Sequence, residues 1–335
     1  MNTLTVIVNY RCADLTIDAL RTVADEATRY REQINGDLHV VVTDNASGDD
    51  SVQRLEQART DNHWHDWLTI LPLPKNGGFA YGNNEAIRWA NTHRAPADFI
   101  HLLNPDTLLR DNAIVKLVRF MQTHPEVGVA GSRLEDPDGT VQTSAFREPG
   151  ILSEFEGSIN LGPISTLLSR YRVAPAPPTT SSPTDWVAGA SMIVRREVID
   201  TIGLLDEDYF MYFEELDWIC SAARNGWPCW YVVESRVVHL VGQVSGVTNT
   251  RASDQTPASP PKRKRIPKYY HEARRHYWLK NHGRLKKLIA DTAVIIGTLL
   301  WWTHMALRGK KPNSPPHFLA DFIAFHLLGS YPDRR

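Results

Sequence analysis

Short apolar runs alternate with helical patterns over the first 135 residues of the chain. Four apolar runs predict buried strands: "LTVIVNY" (4–10), "LHVVVTD" (38–44), "WLTILPLP" (67–74) and "DFIHLLN" (98–104). Between them, stretches such as "ADLTIDALRTVADEA" repeat apolar residues with helical spacing. This alternation predicts an α/β fold with a doubly wound, mostly parallel sheet and helices on both faces.

Two aspartates fall at the predicted carboxyl ends of such strands. Asp44 ends the second strand, and Asp106 follows the fourth within "NPD". Ligands of open α/β sheets bind beside the carboxyl ends of the strands. A carboxylate there can accept hydrogen bonds from a nucleotide or bind a hard divalent cation. We therefore expect a ligand site at this edge.

The second half of the chain carries a concentrated acidic segment. "YFMYFEELDW" (209–218) places Glu214, Glu215 and Asp217 within four residues, among aromatic side chains. One interpretation is the solvated first turn of a helix, and the other is a catalytic base beside a sugar-binding wall. Further along, His239 ends the last predicted strand.

The C-terminal part differs from the rest in charge. From Lys262 onward the chain has sixteen Lys/Arg against four Asp/Glu, about +12, so the preceding part carries about −13 of the overall −1. Such asymmetry indicates contact with an anionic surface, nucleic acid or anionic lipid. Residues 247–267 lack apolar periodicity and predict a mobile linker, and residues 268–335 predict a basic, amphipathic helical extension.

Within this extension, "TAVIIGTLLWWTHMAL" (292–307) contains no Asp, Glu, Lys or Arg. It is short for a membrane span, which needs about 20 apolar residues. A helix lying on a membrane surface is favoured over a helix buried in protein, and both over a span. The three cysteines have no disulfide or zinc spacing, and the start lacks secretory features, which together predict a cytoplasmic location.

Six blocks resemble one known family when read in order: "VVTDNASGDDS", "NGGFAYGNNEAI", "LLNPDTLL", "DWVAGASMIVRREV", "GLLDEDYFMYFEELDW" and "VVHLVGQVSG". Together they are similar to the family 2 inverting glycosyltransferases, in particular the rhamnosyltransferase-like branch. The resemblance covers roughly residues 3–246. It implies a GT-A fold, a nucleotide-diphosphate sugar donor and a divalent metal, Mg²⁺ or Mn²⁺. The expected catalytic domain is 1–246, with a donor-binding half (1–135) and an acceptor-side half (136–246).

The resemblance also implies roles for individual residues. Glu215 would be the general base, with Glu214 and Asp217 as neighbouring acids. The implied donor-binding residues are Asp44, Asn76, Gly78, Asn83, Asn104 and Asp106. The implied acceptor-side residues are Trp186, Gly189, Tyr212 and Trp218. Asp106 and His239 would hold the metal, and Gly242 and Ser245 would shape the loop over the diphosphate.

Three positions depart from the family pattern. Glu215 stands where the family usually has Asp, Asn104 replaces a carboxylate, and Ser221 stands where the family tends to have Arg. One methylene moves a carboxylate by about a bond length, and a base must lie within about 2.6–3.2 Å of the proton it removes. These departures keep open a catalytically degenerate binding module. A nucleotidyltransferase is the enzymatic alternative, although the first strand is followed by only one basic residue, Arg11.

The expected function is therefore inverting transfer of a sugar, with rhamnose favoured, from a nucleotide-diphosphate donor to a polysaccharide or lipid-linked acceptor. The expected place is the cytoplasmic face of the cell membrane, with peripheral attachment to an anionic surface and no nucleic-acid partner. The pattern does not fix the nucleotide base, the acceptor or the oligomeric state.

Overall fold

The computed structural model describes residues 1–240 and 264–330, which form two compact units. The first unit comprises Met1–Phe146, Ala176–Phe210 and residues 214–240, and the second comprises Arg147–Pro175, Met211–Phe213 and residues 264–330. The sequence-based division places residues 147–175 in the acceptor-side half, whereas in the structure they fold with the C-terminal helices. The predicted linker lies outside the described residues up to position 263.

The first unit contains eleven strands and six helices among its described residues. The strands are β1 (Thr3–Asn9), β2 (Leu38–Asp44), β3 (Leu68–Pro72), β4 (Phe99–Leu103), β5 (Thr107–Leu109), β6 (Val129–Glu135), β7 (Ala145–Phe146), β8 (Ser182–Thr184), β9 (Trp186–Val187), β10 (Ser191–Arg195) and β11 (Cys229–His239). The helices are α1 (Ala13–Ile34), α2 (Ser51–Asp61), α3 (Gly78–His93), α4 (Ala113–Thr123), α7 (Arg196–Ile202) and α8 (Glu214–Arg224). The second unit contains α5 (Ile151–Ile159), α6 (Gly162–Leu167), α9 (Lys268–Leu307) and α10 (Phe318–His326).

The main sheet of the first unit is mixed, with a parallel half. Its order is β3-β2-β1-β4-β10-β6-β11-β5, and β8 pairs with β11. The four strands β3, β2, β1 and β4 are mutually parallel, whereas β10 runs antiparallel between β4 and β6. This confirms the predicted α/β fold and its mostly parallel sheet.

Alternate side chains of the strands pack into two hydrophobic cores, one on each face of the sheet. Val40 and Val42 belong to a cluster with residues of α1, α2 and α4, while Val41 belongs to a second cluster with residues of α3, α7 and α8. Successive side chains of a strand point to opposite faces, so an uninterrupted apolar strand is buried on both. The apolar runs of the sequence predict this arrangement.

The second unit is built on α5 and α9 and contains a buried ionic network. Arg274 donates to Asp291 Oδ1 at 2.5 Å and to Glu154 Oε2 at 3.1 Å. Lys287 donates to the other oxygen of Asp291 at 2.5 Å and to the carbonyl of His326 at 3.2 Å. Each buried charge of the network therefore has an opposite charge beside it, as burial requires.

The helix α9 is interrupted at Gly283, whose φ of 77° and ψ of 174° are not helical. The most apolar 18-residue window of α9 has a mean hydropathy of 1.3. In the described part of the chain, α9 is the one helix that is long enough and apolar enough to cross a membrane. Length and composition alone are met by membrane spans and by helices of soluble proteins alike.

Candidate active site

Several polar segments meet at the carboxyl edge of the parallel strands. Asn9 pairs with Asp44 where β1 and β2 end, and Asn104 directly follows β4 on the other side of β1. Because β10 runs antiparallel to β4, its first residues lie at the same edge, where the N–H of Asn104 donates to the carbonyl of Ala190 at 2.9 Å. The sheet topology thus brings the predicted donor and acceptor blocks to one edge.

The carboxylate of Asp44 is buried and held in one orientation. Its Oδ1 accepts hydrogen bonds from Asn9 Nδ2 at 2.7 Å and from Ser47 Oγ at 2.6 Å. The backbone N–H of Ser47 donates to Oδ2 at 3.0 Å. These three donors fix the carboxylate of Asp44 at the end of β2.

The segment from Asn76 to Phe79 is tied to the residue after Asp44. The amide of Asn45 donates to Asn76 Oδ1 at 3.1 Å and to the carbonyl of Gly78 at 2.9 Å. Gly78 has a φ of 88°, and a Cβ there would lie 2.0 Å from the carbonyl oxygen of Phe210. Glycine is therefore required at this position for both backbone conformation and space.

The two asparagines that follow lie in the second turn of α3, and their side chains bond within the protein. Asn83 donates to the carbonyl of Phe79 at 2.9 Å, and Asn84 donates to the carbonyl of Leu205 and to Glu207 Oε1, each at 2.8 Å. Both are almost fully buried. In the structure they anchor the start of α3 through contacts within the protein.

Asp106 and His239 are brought together by the pairing of β5 with β11. Thr107 pairs with His239, and His239 Nε2 lies 3.5 Å from Asp106 Oδ1. Asp106 is 4% exposed. A carboxylate beside an imidazole is a donor set that fits a divalent cation. The predicted Gly242 and Ser245 lie outside the described residues.

Cys12 is partly buried, and its Sγ lies 3.4 Å from Asn9 Oδ1 at the end of β1. Burial raises the pKa of the Cys12 thiol, and the negative charges of Asp106 and Asp44 raise it further. Hydrogen bonds with Tyr10 and Thr16 oppose the shift. Both strand-end aspartates therefore make the thiolate form of Cys12 less favourable.

The acceptor-side block contacts the acidic segment. A Cβ on Gly189 would lie 3.7 Å from the Cβ of Glu215 and 3.6 Å from Cζ of Phe79. Trp186, three residues earlier, stacks on Phe146 with ring centroids 4.3 Å apart. The structure therefore gathers the start of α3, the approach to β10 and the start of α8 around Glu215.

Glu214 and Glu215 lie in surroundings that disfavour their ionised forms. Burial raises the pKa of Glu215, although hydrogen bonds from the backbone N–H groups of Glu215 and Gly189 oppose this. Burial raises the pKa of Glu214 well above its usual value, and the charge of Glu215 adds to the effect. One oxygen of each, Oε2, is buried and has no hydrogen-bond partner among the described residues. Each of these two oxygens therefore has unused capacity to accept a hydrogen bond.

The remaining predicted residues have other surroundings. Trp218 is 4% exposed, belongs to the core and donates from Nε1 to the carbonyl of Gly203 at 3.0 Å, so its ring offers no open face to a sugar. Asp217 is buried on the same helix. Tyr212 belongs to the second unit, where its ring stacks on that of Tyr269 at 6.0 Å.

The sequence reading assigned no role to Asn9, Asn45 or Ser47. Asn9 and Ser47 orient Asp44, and Asn45 joins the second strand to the loop before α3. Asn9 carried a signal, because it ends β1 and parallel pairing places it beside Asp44. No feature of the sequence predicted the contact of Asn45 with Asn76, which lies 31 residues further along the chain.

Comparison with known proteins identifies the fold and the family. The fold is that of the GT-A glycosyltransferases, which belong to the α/β class. A model of the family described as "Glycosyl transferase family 2" matches residues 5–177, which is just over half of the chain. The chain belongs to this family.

Relatives of known activity include rhamnosyltransferases. The N-acetylglucosaminyl-diphospho-decaprenol L-rhamnosyltransferase of Mycobacterium tuberculosis is 29% identical over 221 residues, which are 62% of this chain and 68% of that protein. Rhamnosyltransferase WbbL of Escherichia coli K12 is 24% identical over 164 residues, 48% of this chain and 60% of that protein. The chain therefore spans about two thirds or less of the length of these relatives.

Solved structures show the same fold at low identity. Mannosyltransferase PcManGT from Pyrobaculum calidifontis, in complex with GDP-Man and Mn²⁺, superimposes with a TM-score of 0.52 at 14% identity and covers 97% of this chain and 86% of that one. GalNAc-T7 with UDP, GalNAc and Mn²⁺ has the same TM-score and identity and covers 71% of this chain but 44% of that one. Their likeness to this chain is one of fold.

Proposed function

We propose that this glycosyltransferase moves a sugar, with rhamnose favoured, from a nucleotide-diphosphate donor to a saccharide or lipid-linked acceptor, with inversion at the anomeric carbon. The observation that carries the proposal is the position of Glu215. Its carboxylate is buried beside Gly189 at the edge that also holds Asp44 and Asp106, and its Oε2 has no hydrogen-bond partner among the described residues. The names of the mycobacterial and E. coli relatives support rhamnose, and the former supports a lipid-diphosphate acceptor.

Glu215 is the proposed general base. The acceptor hydroxyl attacks the anomeric carbon, Glu215 takes its proton as the new bond forms, and the nucleoside diphosphate leaves from the opposite face. A raised pKa makes a carboxylate a better proton acceptor at neutral pH.

The donor is proposed to lie along the strand ends. Asp44, fixed by Asn9 and Ser47, accepts hydrogen bonds from the nucleoside, and the loop from Asn76 to Gly78 lies beside it. Asp106 and His239 are the proposed ligands of a divalent metal, which when bound would offset the negative charge of the leaving diphosphate. Asn104 contributes a neutral group where a second carboxylate would add charge.

The acceptor suggests where the protein works. A lipid-diphosphate acceptor and a cytoplasmic nucleotide sugar meet at the inner face of the cell membrane. We accordingly place the protein there as a peripheral enzyme, with the basic C-terminal extension towards anionic lipid.

The proposal is tested by the substitution Glu215→Gln in the full chain. Transfer is measured with a panel of nucleotide-diphosphate sugars and an acetylglucosaminyl-diphospho-lipid acceptor in the presence of Mn²⁺. We expect kcat to fall about 10²–10⁴-fold, the usual contribution of a general base, while donor binding by calorimetry is retained. Glu215→Asp, which restores the family residue, is the matched control and retains most activity.

Two outcomes would contradict the proposal. Full activity of Glu215→Gln together with loss in Asp217→Asn would move the base to Asp217. Donor binding without transfer by the unchanged protein, with either Mg²⁺ or Mn²⁺, would identify a degenerate binding module.

A further inference from the structure

Exposed large apolar side chains are concentrated in the second unit. Of the fifteen in the described residues, twelve belong to this unit, and the three others are Met1, Tyr10 and Phe210. Seven of the twelve lie on the part of α9 that follows Gly283: Leu285, Leu288, Ile289, Ile296, Leu299, Leu300 and Leu307. Contiguous apolar surface of this extent marks an interaction site.

These seven residues form one stripe with helical spacing. Together with the exposed Thr292 and Thr303 they recur at intervals of three and four residues over about six turns, so they share one face of the helix. We call this face the α9 stripe. It runs for about 33 Å at 1.5 Å per residue.

The two threonines do not interrupt the apolar character of the stripe. Thr292 Oγ1 donates to the carbonyl of Leu288 at 2.8 Å, and Thr303 Oγ1 donates to that of Leu299 at 2.9 Å. Each hydroxyl is satisfied by the helix itself, so the stripe brings no unpaired donor into an apolar phase.

The opposite face of the same helix is packed against protein. Lys287, Ala290, Asp291, Val294, Gly297 and Thr298 are buried within the second unit, again at intervals of three and four. A Cβ on Gly297 would lie 2.1 Å from Ser158 Oγ of α5, which shows how closely the two helices approach. A membrane span would place the Lys287–Asp291 pair at hydrocarbon depth, which is costly, so the helix is suited to lying along an interface.

Positive charge brackets the stripe at both ends. Arg284 and Lys286 are exposed at its start, and Arg308, Lys310 and Lys311 are exposed at its end. The only acidic residue between positions 284 and 311 is Asp291, which is buried and paired with Lys287 and Arg274. The solvent-facing charge of this segment is therefore entirely positive, which complements anionic headgroups.

We propose that the α9 stripe is a membrane-docking surface that lies in the plane of an anionic bilayer, with Leu288, Ile296 and Leu299 inserted between the lipids. The inference deepens the proposed function, because it names the surface by which an enzyme with a lipid-linked acceptor would reach the membrane. Apolar insertion gives the binding energy, and the basic residues at both ends select anionic lipid.

The test uses co-sedimentation of the full chain with phosphatidylcholine vesicles, with and without phosphatidylglycerol. The triple variant Leu288→Gln, Ile296→Gln, Leu299→Gln is expected to bind vesicles about 100-fold more weakly than the unchanged protein, since three apolar side chains lose their favourable transfer. Methionine at the same three positions keeps the apolar character and is the matched control, with binding near that of the unchanged protein. The variant Arg308→Gln, Lys310→Gln, Lys311→Gln is expected to lose the preference for phosphatidylglycerol.

Unchanged sedimentation of the glutamine variant would overturn the inference. A dimer by light scattering without vesicles, abolished in the glutamine variant, would instead assign the stripe to a second copy of the chain. Transfer to a water-soluble acceptor analogue separates this inference from the proposed function, because the glutamine variant should retain it. If the glutamine variant loses vesicle binding but keeps this transfer, the membrane-docking role of the α9 stripe is supported. If the unchanged protein transfers no sugar, the proposed function is contradicted.

Discussion

Glu214 and Glu215 are neighbours in sequence, and each is placed where ionisation is unfavourable. Glu215 is beside Gly189, and one oxygen of each residue has no partner in the described parts of the chain. Because the two carboxyl groups interact, they release their protons as a pair. Burial favours the protonated forms of both residues, whereas the base of the proposed reaction must be ionised. At this position stability and catalysis therefore make opposite demands.

Replacing Glu214 by glutamine is expected to stabilise the protein at neutral pH. Burial raises the folded-state pKa of Glu214 above its ordinary value of 4.5. The contribution of this residue to the free energy of unfolding is therefore complete below pH 4.5 and is lost as the pH rises through the raised pKa. Glutamine stays neutral throughout and avoids that loss. The melting temperature of Glu214→Gln should rise by about 2–4 °C at pH 7, which corresponds to a gain of about 1 kcal/mol in the free energy of unfolding. Near pH 4 the melting temperatures of the variant and the unchanged protein should be equal.

The control for this experiment is Glu197→Gln. Glu197 also lies in the first turn of a helix but is exposed. It should show no gain at pH 7. An equal rise in both variants would mean that helix-terminal charge, and not burial, sets the effect.

The helix α3 depends on a single backbone position at its start. Gly78 adopts positive φ and lies against the Phe210 carbonyl, and the N–H of the next residue, Phe79, donates to that carbonyl at 3.0 Å. The approach of Phe210 thus fixes the loop that we assign to the donor. An added methyl group would push the two segments apart.

We expect Gly78→Ala to lower the melting temperature at least about twice as much as Gly48→Ala, since both substitutions strain a left-handed backbone but only one creates a clash. Gly48 has a φ of 69° and no atom within 4 Å of its would-be Cβ, which makes it a matched control. Thermal unfolding and donor affinity are measured for both. Equal losses of stability would show that the Phe210 contact relaxes without cost.

Much of the first unit could be predicted from local pattern. The strands β1, β2 and β4 are apolar on both faces, and parallel pairing then brings Asn9, Asp44 and Asn104 to one edge. The burial of Trp218 could not be predicted, because an aromatic residue beside acidic residues is equally compatible with sugar stacking and with packing in the core. The burial of Glu214 and Asp217 in the first turn of α8 is equally a matter of tertiary packing, because a solvated acidic turn was also open.

Across the whole molecule, long-range packing decided what the sequence pattern left open. Residues 147–175 join α9 through Glu154 and Ser158, which contact partners more than a hundred positions away. No local periodicity reports such pairing. The charge asymmetry of the chain was visible in the sequence because it depends on composition alone. The division of α9 into one packed and one exposed face was not visible, because it depends on contacts with residues far away in the sequence.

The second unit is held together by charges as well as by apolar contacts, which leads to a prediction about its stability. Asp291 is fully buried and accepts from both Arg274 and Lys287. Asp291→Asn would leave two buried cations with one fewer counter-charge, so we expect a loss of about 3–5 kcal/mol, measured by denaturant unfolding.

Glu272→Gln on the same helix is the matched control for Asp291→Asn, because its pair with Lys268 is exposed at both ends. An exposed pair of this kind contributes about 0–1 kcal/mol, so the control should unfold almost like the unchanged protein. If Asp291→Asn also unfolded like the unchanged protein, water would have to compensate for the lost charge. The packed face of α9 would then tolerate polar change, and the proposed position of this helix along a membrane surface, with its charged face against protein, would lose its support.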